Sequence, residues 1–280
     1  MPRRLKDALK AIETYKAASP HYMDLLDILG EILILREEHK RMLTEPVFPV
    51  EESLIETKME GGLPLIDLVS GKFDLTMPKR YFLALLDIAE KRAPGQATEI
   101  IRKINDGLLE FETMILGSIS APDEEQEEET EEDGDDDTLD LIELFLEESL
   151  RPALEKVAER YGDRIAKAGW SEGYCPVCGR EPKIGELKDE EGHRYLFCHQ
   201  CGFEWSFRRI KCPFCGNEEQ QSLAYFTIEG EERYRVDVCN ECRRYIKIVD
   251  FRETKQEANL DVEDIATLHL DMLANEEGYD

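Results

Sequence analysis

The sequence predicts an α+β protein: an all-α N-terminal domain, then two small β modules, each binding a metal through four cysteines, and a C-terminal helix. Three observations carry that expectation. Apolar residues recur at three- and four-residue steps through the first 120 positions. After Gly169-Trp170 the helical period gives way to short apolar runs between glycine-bearing turns. All eight cysteines fall in the last 110 residues, as four Cys-x-x-Cys pairs with none outside them.

The helical half can be justified stripe by stripe. Leu5, Ala8, Leu9, Ile12 and Tyr15 lie on one helical face. Ser19-Pro20 then offers an N-cap residue and a proline at the first helical position. Tyr22, Leu25, Leu26, Leu29, Ile32 and Leu33 form the second stripe. Pro46 and Pro49 mark a loop, as does Gly61-Gly62-Leu63-Pro64. Tyr81 to Ala89 and Ile100 to Ile115 read as two further amphipathic helices. Beyond them Leu139, Ile142, Phe145 and Leu146 open a stripe that Leu150, Leu154, Val157, Tyr161 and Ile165 continue. Pro152 inside it predicts a kink, or a break into two helices near Glu148. These stripes read as core, and this half carries no catalytic constellation.

Charge is concentrated in one place. The chain has a net charge of −28, and Asp123 to Asp137 holds 12 acidic residues and no basic one. Such a run cannot bury apolar surface and repels itself, so it reads as a solvated linker or inserted loop in preference to an acidic interaction tail. The apolar stretch Leu25 to Leu35 is broken by Asp27, Gly30 and Glu31, too short for a membrane helix. The N-terminus is basic without a signal peptide's apolar stretch. Reduced thiols and these features together point to the cytoplasm.

In the last third, Tyr195 to Phe197, Phe203 to Ile210, Leu223 to Ile228, Arg233 to Val238 and Tyr245 to Val249 read as strands. Val262 to Leu273 reads as one closing helix. The expected division is residues 1–170 as the helical domain, with the acidic insertion at 122–138, then modules at 171–211 and 212–280.

Two thiolates two residues apart can grip one metal from a single turn, and two such turns complete a tetrahedral four-sulfur site. The pairs Cys175/Cys178, Cys198/Cys201, Cys212/Cys215 and Cys239/Cys242 therefore imply two sites. Gaps of 19 residues between Cys178 and Cys198, and of 23 between Cys215 and Cys239, favour sequential pairing and leave an interleaved one open. Gly179, Gly202 and Gly216 follow their turns, where a positive φ suits the wrapping chain. Arg243 stands in the fourth such place, so that turn must be strained or different. Four thiolates suit zinc, the commoner structural ion, or a single iron. His199 lies between ligands but reads as an exposed turn residue, since the thiolate set is complete without it. His21, His39, His193 and His269 read as surface or satisfied histidines.

Two rival functions use the same turns. A thioredoxin-like redox centre needs one pair at a helix start in a βαβ context, which is missing. A zinc ribbon could set Arg208, Arg209 and Lys211 beside Trp205 and Phe207 to hold nucleic acid. Yet Cys175 to Asp250 carries 14 acidic against 12 basic residues, which gives no dominant positive field.

The wording between the cysteines is more specific. Cys175-Pro-Val-Cys178-Gly-Arg-Glu-Pro182 precedes Arg194-Tyr-Leu-Phe-Cys198-His-Gln-Cys201, with Trp205 beyond. Arg209-Ile-Lys-Cys212-Pro-Phe-Cys215 and Tyr245-Ile-Lys-Ile248 follow, and the chain closes with Val262-Glu-Asp-Ile-Ala-Thr-Leu-His-Leu-Asp271 and Glu277-Gly-Tyr279. This series resembles the formate dehydrogenase accessory protein family, FdhE, densely from Trp170 to Tyr279. In the helical half Gly62-Leu-Pro-Leu-Ile-Asp67 is the best local echo. The resemblance implies that the two modules are rubredoxin-like, that all eight cysteines are ligands, and that iron is favoured over zinc. It implies a cytoplasmic, non-catalytic role in maturation of formate dehydrogenase. The partner would be its catalytic subunit, which carries molybdenum or tungsten, with no nucleic acid and no membrane insertion. Arg194, Tyr195, Trp205, Tyr245 and Lys247 are the candidate partner-binding residues, each also suited to packing the modules. The acidic insertion is not a feature of the family pattern.

Overall fold

The computed structural model describes residues 2–69, 71–92, 95–120, 136–254 and 257–280. Helix α1 (Arg3–Ala18) leads through a 3-10 turn at Pro20–Tyr22 into α2 (Met23–Met42). Proline opens that turn, and the Ser19 side chain makes no capping hydrogen bond, so the expected N-cap is not formed there. The two stripes meet as the periodicity requires: Ala8 and Ile12 pack on Leu26 and Leu33. Gly30 lets α1 approach, with Ile12 and Leu9 methyls 3.7 Å from where its Cβ would lie.

Next come α3 (Ile55–Glu60), α4 (Thr76–Glu90), α5 (Gln96–Asn105) and α6 (Phe111–Ser120). The single helix expected over Ile100 to Ile115 is therefore divided. Gly107 stands in the gap at φ +70°, a left-handed conformation that ends α5. Residues 123–135 of the acidic run lie outside the described residues, and Asp136 and Asp137 open α7 (Asp136–Ala168). Helix α7 continues through Pro152, so the chain does not break into two helices there. Tertiary packing offsets the lost hydrogen bond. Phe145, Leu150, Leu154 and Ile165 are all nearly inaccessible, facing a core that includes Phe82 and Leu85 of α4. Each such side chain contributes about 1.5–3 kcal/mol on burial.

The sheet has six strands: β1 (Ile184–Lys188), β2 (His193–Phe197), β3 (Glu204–Phe207), β4 (Leu223–Phe226), β5 (Tyr234–Cys239) and β6 (Tyr245–Asp250). Their order is β3-β2-β1-β6-β5-β4. This is a three-stranded antiparallel meander used twice in tandem, joined where β1 runs parallel to β6 with Ile184 opposite Lys247 and Leu187 opposite Asp250. Strand β1 is not among the strands expected from the sequence. Its Gly185 weakens the strand pattern but is required, because a Cβ there would sit 2.6 Å from the Tyr195 carbonyl oxygen on β2.

One sheet face turns to the helical half. Leu187, Leu196, Trp205, Ile246 and Ile248 share a single core with α4 and α7. The other face is covered by α8 (Leu260–Ala266) and α9 (Leu268–Glu276), with Val236 and Val238 against Leu270 and Ala274. These two replace the one closing helix expected. The break falls at Thr267, at φ −118° and ψ 24°, whose hydroxyl donates to the Glu263 carbonyl. No helix among the described residues is long and apolar enough to cross a membrane.

Buried charges tie the layers together. Arg36 of α2 forks onto Glu148 of α7 at 2.7 and 2.8 Å and reaches Asp261 of α8 at 3.3 Å. Arg151 of α7 bonds Glu155 at 3.1 Å and Asp261 at 2.7 Å. Lys40 Nζ adds a 2.8 Å contact to Glu155.

Candidate metal centres

Each cysteine turn is held by the same pair of backbone hydrogen bonds. The first cysteine of a turn takes a bond from the residue four on and donates to the carbonyl five on. Thus Gly179 donates to Cys175 and Cys175 to Arg180, at 2.9 and 2.8 Å. The turns at Cys198, Cys212 and Cys239 repeat it with Gly202 and Phe203, Gly216 and Asn217, and Arg243 and Arg244. The residue after each second cysteine is left-handed: Gly179, Gly202 and Gly216 at φ +79°, +66° and +75°. Arg243 takes φ +60°, so the fourth turn has the shape of the others and carries the strain the sequence implied.

What holds Arg243 is the end of the chain. Its guanidinium donates to the carbonyls of Glu277 and Gly278 at 3.0 and 2.8 Å and lies 4.1 Å over the Tyr279 ring. Asp280 N donates to the Arg243 carbonyl, and Tyr245 N to that of Asp280. The closing Glu277-Gly-Tyr279 therefore straps the fourth turn.

The structure brings Cys175, Cys178, Cys198 and Cys201 into one group and Cys212, Cys215, Cys239 and Cys242 into another. The interleaved arrangement is not adopted. Sulfurs face one another at 3.4 Å (Cys175–Cys201), 3.5 Å (Cys178–Cys198) and 3.7 Å in both pairs of the second group. A disulfide would need about 2.05 Å. A tetrahedral ion with metal–sulfur arms of about 2.3 Å has edges of about 3.8 Å, close to these separations. Either group can therefore hold a metal ion.

The electrostatics fit a cation. Burial pushes the Cys175 and Cys201 thiols well up, and hydrogen bonds from three neighbouring thiols outweigh burial to hold Cys198 well down. In the second group burial raises Cys212. Burial also acts on Cys239, but the Cys242 and Glu241 backbone N–H groups and the Asn217 amide bring it to about 7. Crowded thiols retain protons unless a metal ion replaces them. Val177 N and the Asn217 amide already point at Cys175 and Cys239 sulfurs, at 3.4 and 3.6 Å, as outer partners of metal thiolates do.

The groups differ in surroundings. All four cysteines of the first are buried, whereas Cys215 is exposed and Cys242 partly so. The first is enclosed by the helical half. Pro176 and Val177 carbonyls accept from Leu65 and Ile66, both at 2.9 Å, and Tyr174 donates to Gly62 O at 2.6 Å. The segment Gly62 to Asp67 is thus the cradle of the first turn. Across from it, Arg151 donates to the His199 carbonyl and Gln200 to that of Glu147. His199 stays outside the sulfur group, with Nε2 3.8 Å from Glu147.

The five candidate partner residues fall on both sheet faces. Trp205 is buried and donates to Glu172 O. Lys247 is buried between Asp264 and Asp271, both 2.7 Å away, and Tyr245 donates to Asp271. Tyr195 lies under Lys188 Nζ at 5.2 Å. Arg194 is 3% exposed and 3.4 Å from Asp237.

Two features escaped sequence reasoning. Asp189, Glu191 and His193 meet in the exposed β1–β2 turn, where the Asp189 carboxylate 2.8 Å away raises His193 above its ordinary range. Arg194 and Arg235 occupy matching places in the two meanders, each four residues before a Cys-x-x-Cys turn and on the same sheet face. That repeat was visible as Arg-Tyr-Leu-Phe-Cys198 beside Arg-Val-Asp-Val-Cys239.

Comparison with known proteins agrees with this architecture. The family model described as "FdhE, central domain" matches residues 174–209, and "FdhE, C-terminal domain" matches 210–280. The chain is 30% identical over 275 residues to "Protein FdhE homolog" of Aquifex aeolicus (strain VF5), covering 97% of this chain and 91% of that one. It is 33% identical over 121 residues to "Protein FdhE" of Salmonella arizonae, a match to 42% of this chain and 38% of that relative. The crystal structure of the FdhE protein from Pseudomonas aeruginosa superposes with a TM-score of 0.67 at 22% identity, covering all of this chain and 94% of that one, and so shares the fold. Full-length similarity, two family domains and a common fold place the chain in the FdhE family.

Proposed function

We propose that this chain is a non-catalytic accessory protein for the maturation or assembly of formate dehydrogenase, acting in the cytoplasm on the immature catalytic subunit. The observation that carries this reading is the family relationship over 275 aligned residues, joined to two four-cysteine groups that use every cysteine of the chain. In this reading Cys175, Cys178, Cys198 and Cys201 ligate one metal, and Cys212, Cys215, Cys239 and Cys242 a second. Rubredoxin-type iron is the favoured ion, with zinc the alternative that the same thiolates accept. The metals knit residues 171–211 and 212–280 into modules carried on the helical domain of residues 1–170.

A four-thiolate set fills a tetrahedral ion and leaves no position for substrate, which suits a scaffold better than a reaction centre. Such a scaffold acts by presenting surface to another protein. Capture of the catalytic subunit by the immobilised chain tests the role. Retention of the subunit from cells making immature enzyme is expected, and no enrichment over a bare matrix would contradict it.

A further inference from the structure

The two meanders meet at a cleft of about 280 Å³ beside the second cysteine group. Arg194, Arg209, Lys211, Arg235 and Arg244 line it with Asp237 as the one carboxylate of the lining, Arg244 being held from behind by Glu181, although the chain carries −28 overall. The repeat's two matched arginines form its floor, and Asp237 serves both, 3.4 Å from Arg194 and 2.8 Å from Arg235. Arg194 also donates to the Arg208 and Lys211 carbonyls, so a carboxylate arriving from outside would be met by Arg235. The buried Nε of Arg194 has no hydrogen-bond partner among the described residues. Arg209 is exposed and forms no ion pair or hydrogen bond among them, while Lys211 lies 5.7 Å over the Phe207 ring with its carboxylate partner, Glu218, 3.8 Å away.

Offsetting thiolate charge does not account for this arrangement. Beside the buried first group, Arg151 and Arg180 are engaged by Asp261 and Glu147. At the second group the cations face an opening with an apolar rim, where Ile210 is 51% and Tyr225 63% exposed. Arg235 lies 5.2 Å over the Tyr225 ring and Arg244 3.8 Å over Phe214, which fixes the planes of both forks. Strand β4 walls the cleft and is an outer strand of the sheet, with neither lysine nor proline to blunt pairing at its edge. A compact inorganic anion would use the donors and leave rim and edge idle. An extended peptide with carboxylate side chains uses all three.

We propose that this cleft receives an acidic, extended segment of the partner protein, its carboxylates held by Arg209, Lys211 and Arg235 and its backbone running along β4. The proposal rests on the accessory reading above and names the surface that reading requires. The test follows the full-length chain by fluorescence anisotropy with a labelled eight-residue peptide of alternating Glu and Val, at low and high salt. Saturable, salt-weakened binding is expected. Arg209→Glu with Lys211→Glu should weaken it about tenfold or more, while Arg80→Glu, an exposed cation of α4 outside the cleft lining, leaves it unchanged.

The same proteins are then used to capture the catalytic subunit. Absent peptide binding, equal binding by the double variant, or binding of inorganic pyrophosphate but not peptide would overturn the cleft assignment. Undiminished capture by the double variant would also overturn it and leave the accessory role standing. Peptide binding without any subunit capture by the unaltered chain would overturn the accessory role and leave the anion site standing.

Discussion

Arg243 shows how one side chain resolves a local conflict. An L-residue at φ +60° costs on the order of 1–2 kcal/mol, which glycine at the other three turns avoids. The guanidinium recovers that cost by binding the chain end. Two substitutions separate the effects, since both remove the clamp and only one relieves the strain. Arg243→Gly should therefore unfold at higher urea than Arg243→Ala, by about 1 kcal/mol, and both below the unaltered chain. Coincident midpoints for the two variants would show that the backbone is unstrained. The break after three glycines was legible in the sequence. The clamp was not, because its acceptors are carbonyls more than thirty residues away.

The same limit governs Lys247 and Gly185. Lys247 reads from sequence as one polar residue in an apolar strand, open to either a packing or a recognition role. In the fold it is buried and its ammonium joins β6 to α8 and α9 through Asp264 and Asp271. Lys247→Ala would leave those carboxylates without their cation and should cost about 3–5 kcal/mol in urea unfolding. A loss below about 1 kcal/mol would mean that solvent already screens the pair.

At the scale of elements, the amphipathic stripes found their helices, while boundaries depended on tertiary partners. Helix α7 passes Pro152 because its neighbours bury both sides of the proline's turn. Strand β1 exists because β2 and β6 pair with it, although its own sequence is a poor strand. The cysteine turns are the most legible elements, since spacing alone dictates them.

A metal held by either four-cysteine group would also staple its module. Cys178→Ser should therefore loosen residues 174–209 while the second module keeps its protection, as read by hydrogen exchange on each segment. Because Gly62 to Asp67 grips the first turn, added exchange is expected there too. Unchanged protection throughout would show that the first module folds without its ligand set.

Across the whole molecule, charge is both glue and signal. A sum over the cysteine region, 14 acidic against 12 basic residues, hid the cleft because the sheet gathers five of those cations in one place. Only the register, which sets Arg194 and Arg235 on one face, makes the cluster visible.

The buried network of α2, α7 and α8 contributes to the fold's acid limit. Burial alone would raise Glu155, but Arg151, Arg36 and Lys40 overcome it and hold the carboxyl at about 2, below its ordinary 4.5. A depressed carboxyl stabilises the fold fully above its unfolded value, and that contribution drains away as pH falls from 4.5 toward 2. Glu155→Gln should flatten the stability profile across this window and lower stability at neutral pH by a few kcal/mol. A profile parallel to that of the unaltered chain would place the acid limit elsewhere.

If two four-cysteine sites filled with metal build the surface this protein offers to another, the decisive readout is metal content per chain, determined on anaerobically purified protein together with its absorption spectrum before and after exposure to air. Two metal ions are expected in the unaltered chain, with the colour of ferric thiolate after oxidation in air if iron fills them, and one ion in either Cys178→Ser or Cys215→Ser. A metal-free, folded protein whose cysteines are paired as disulfides would contradict it.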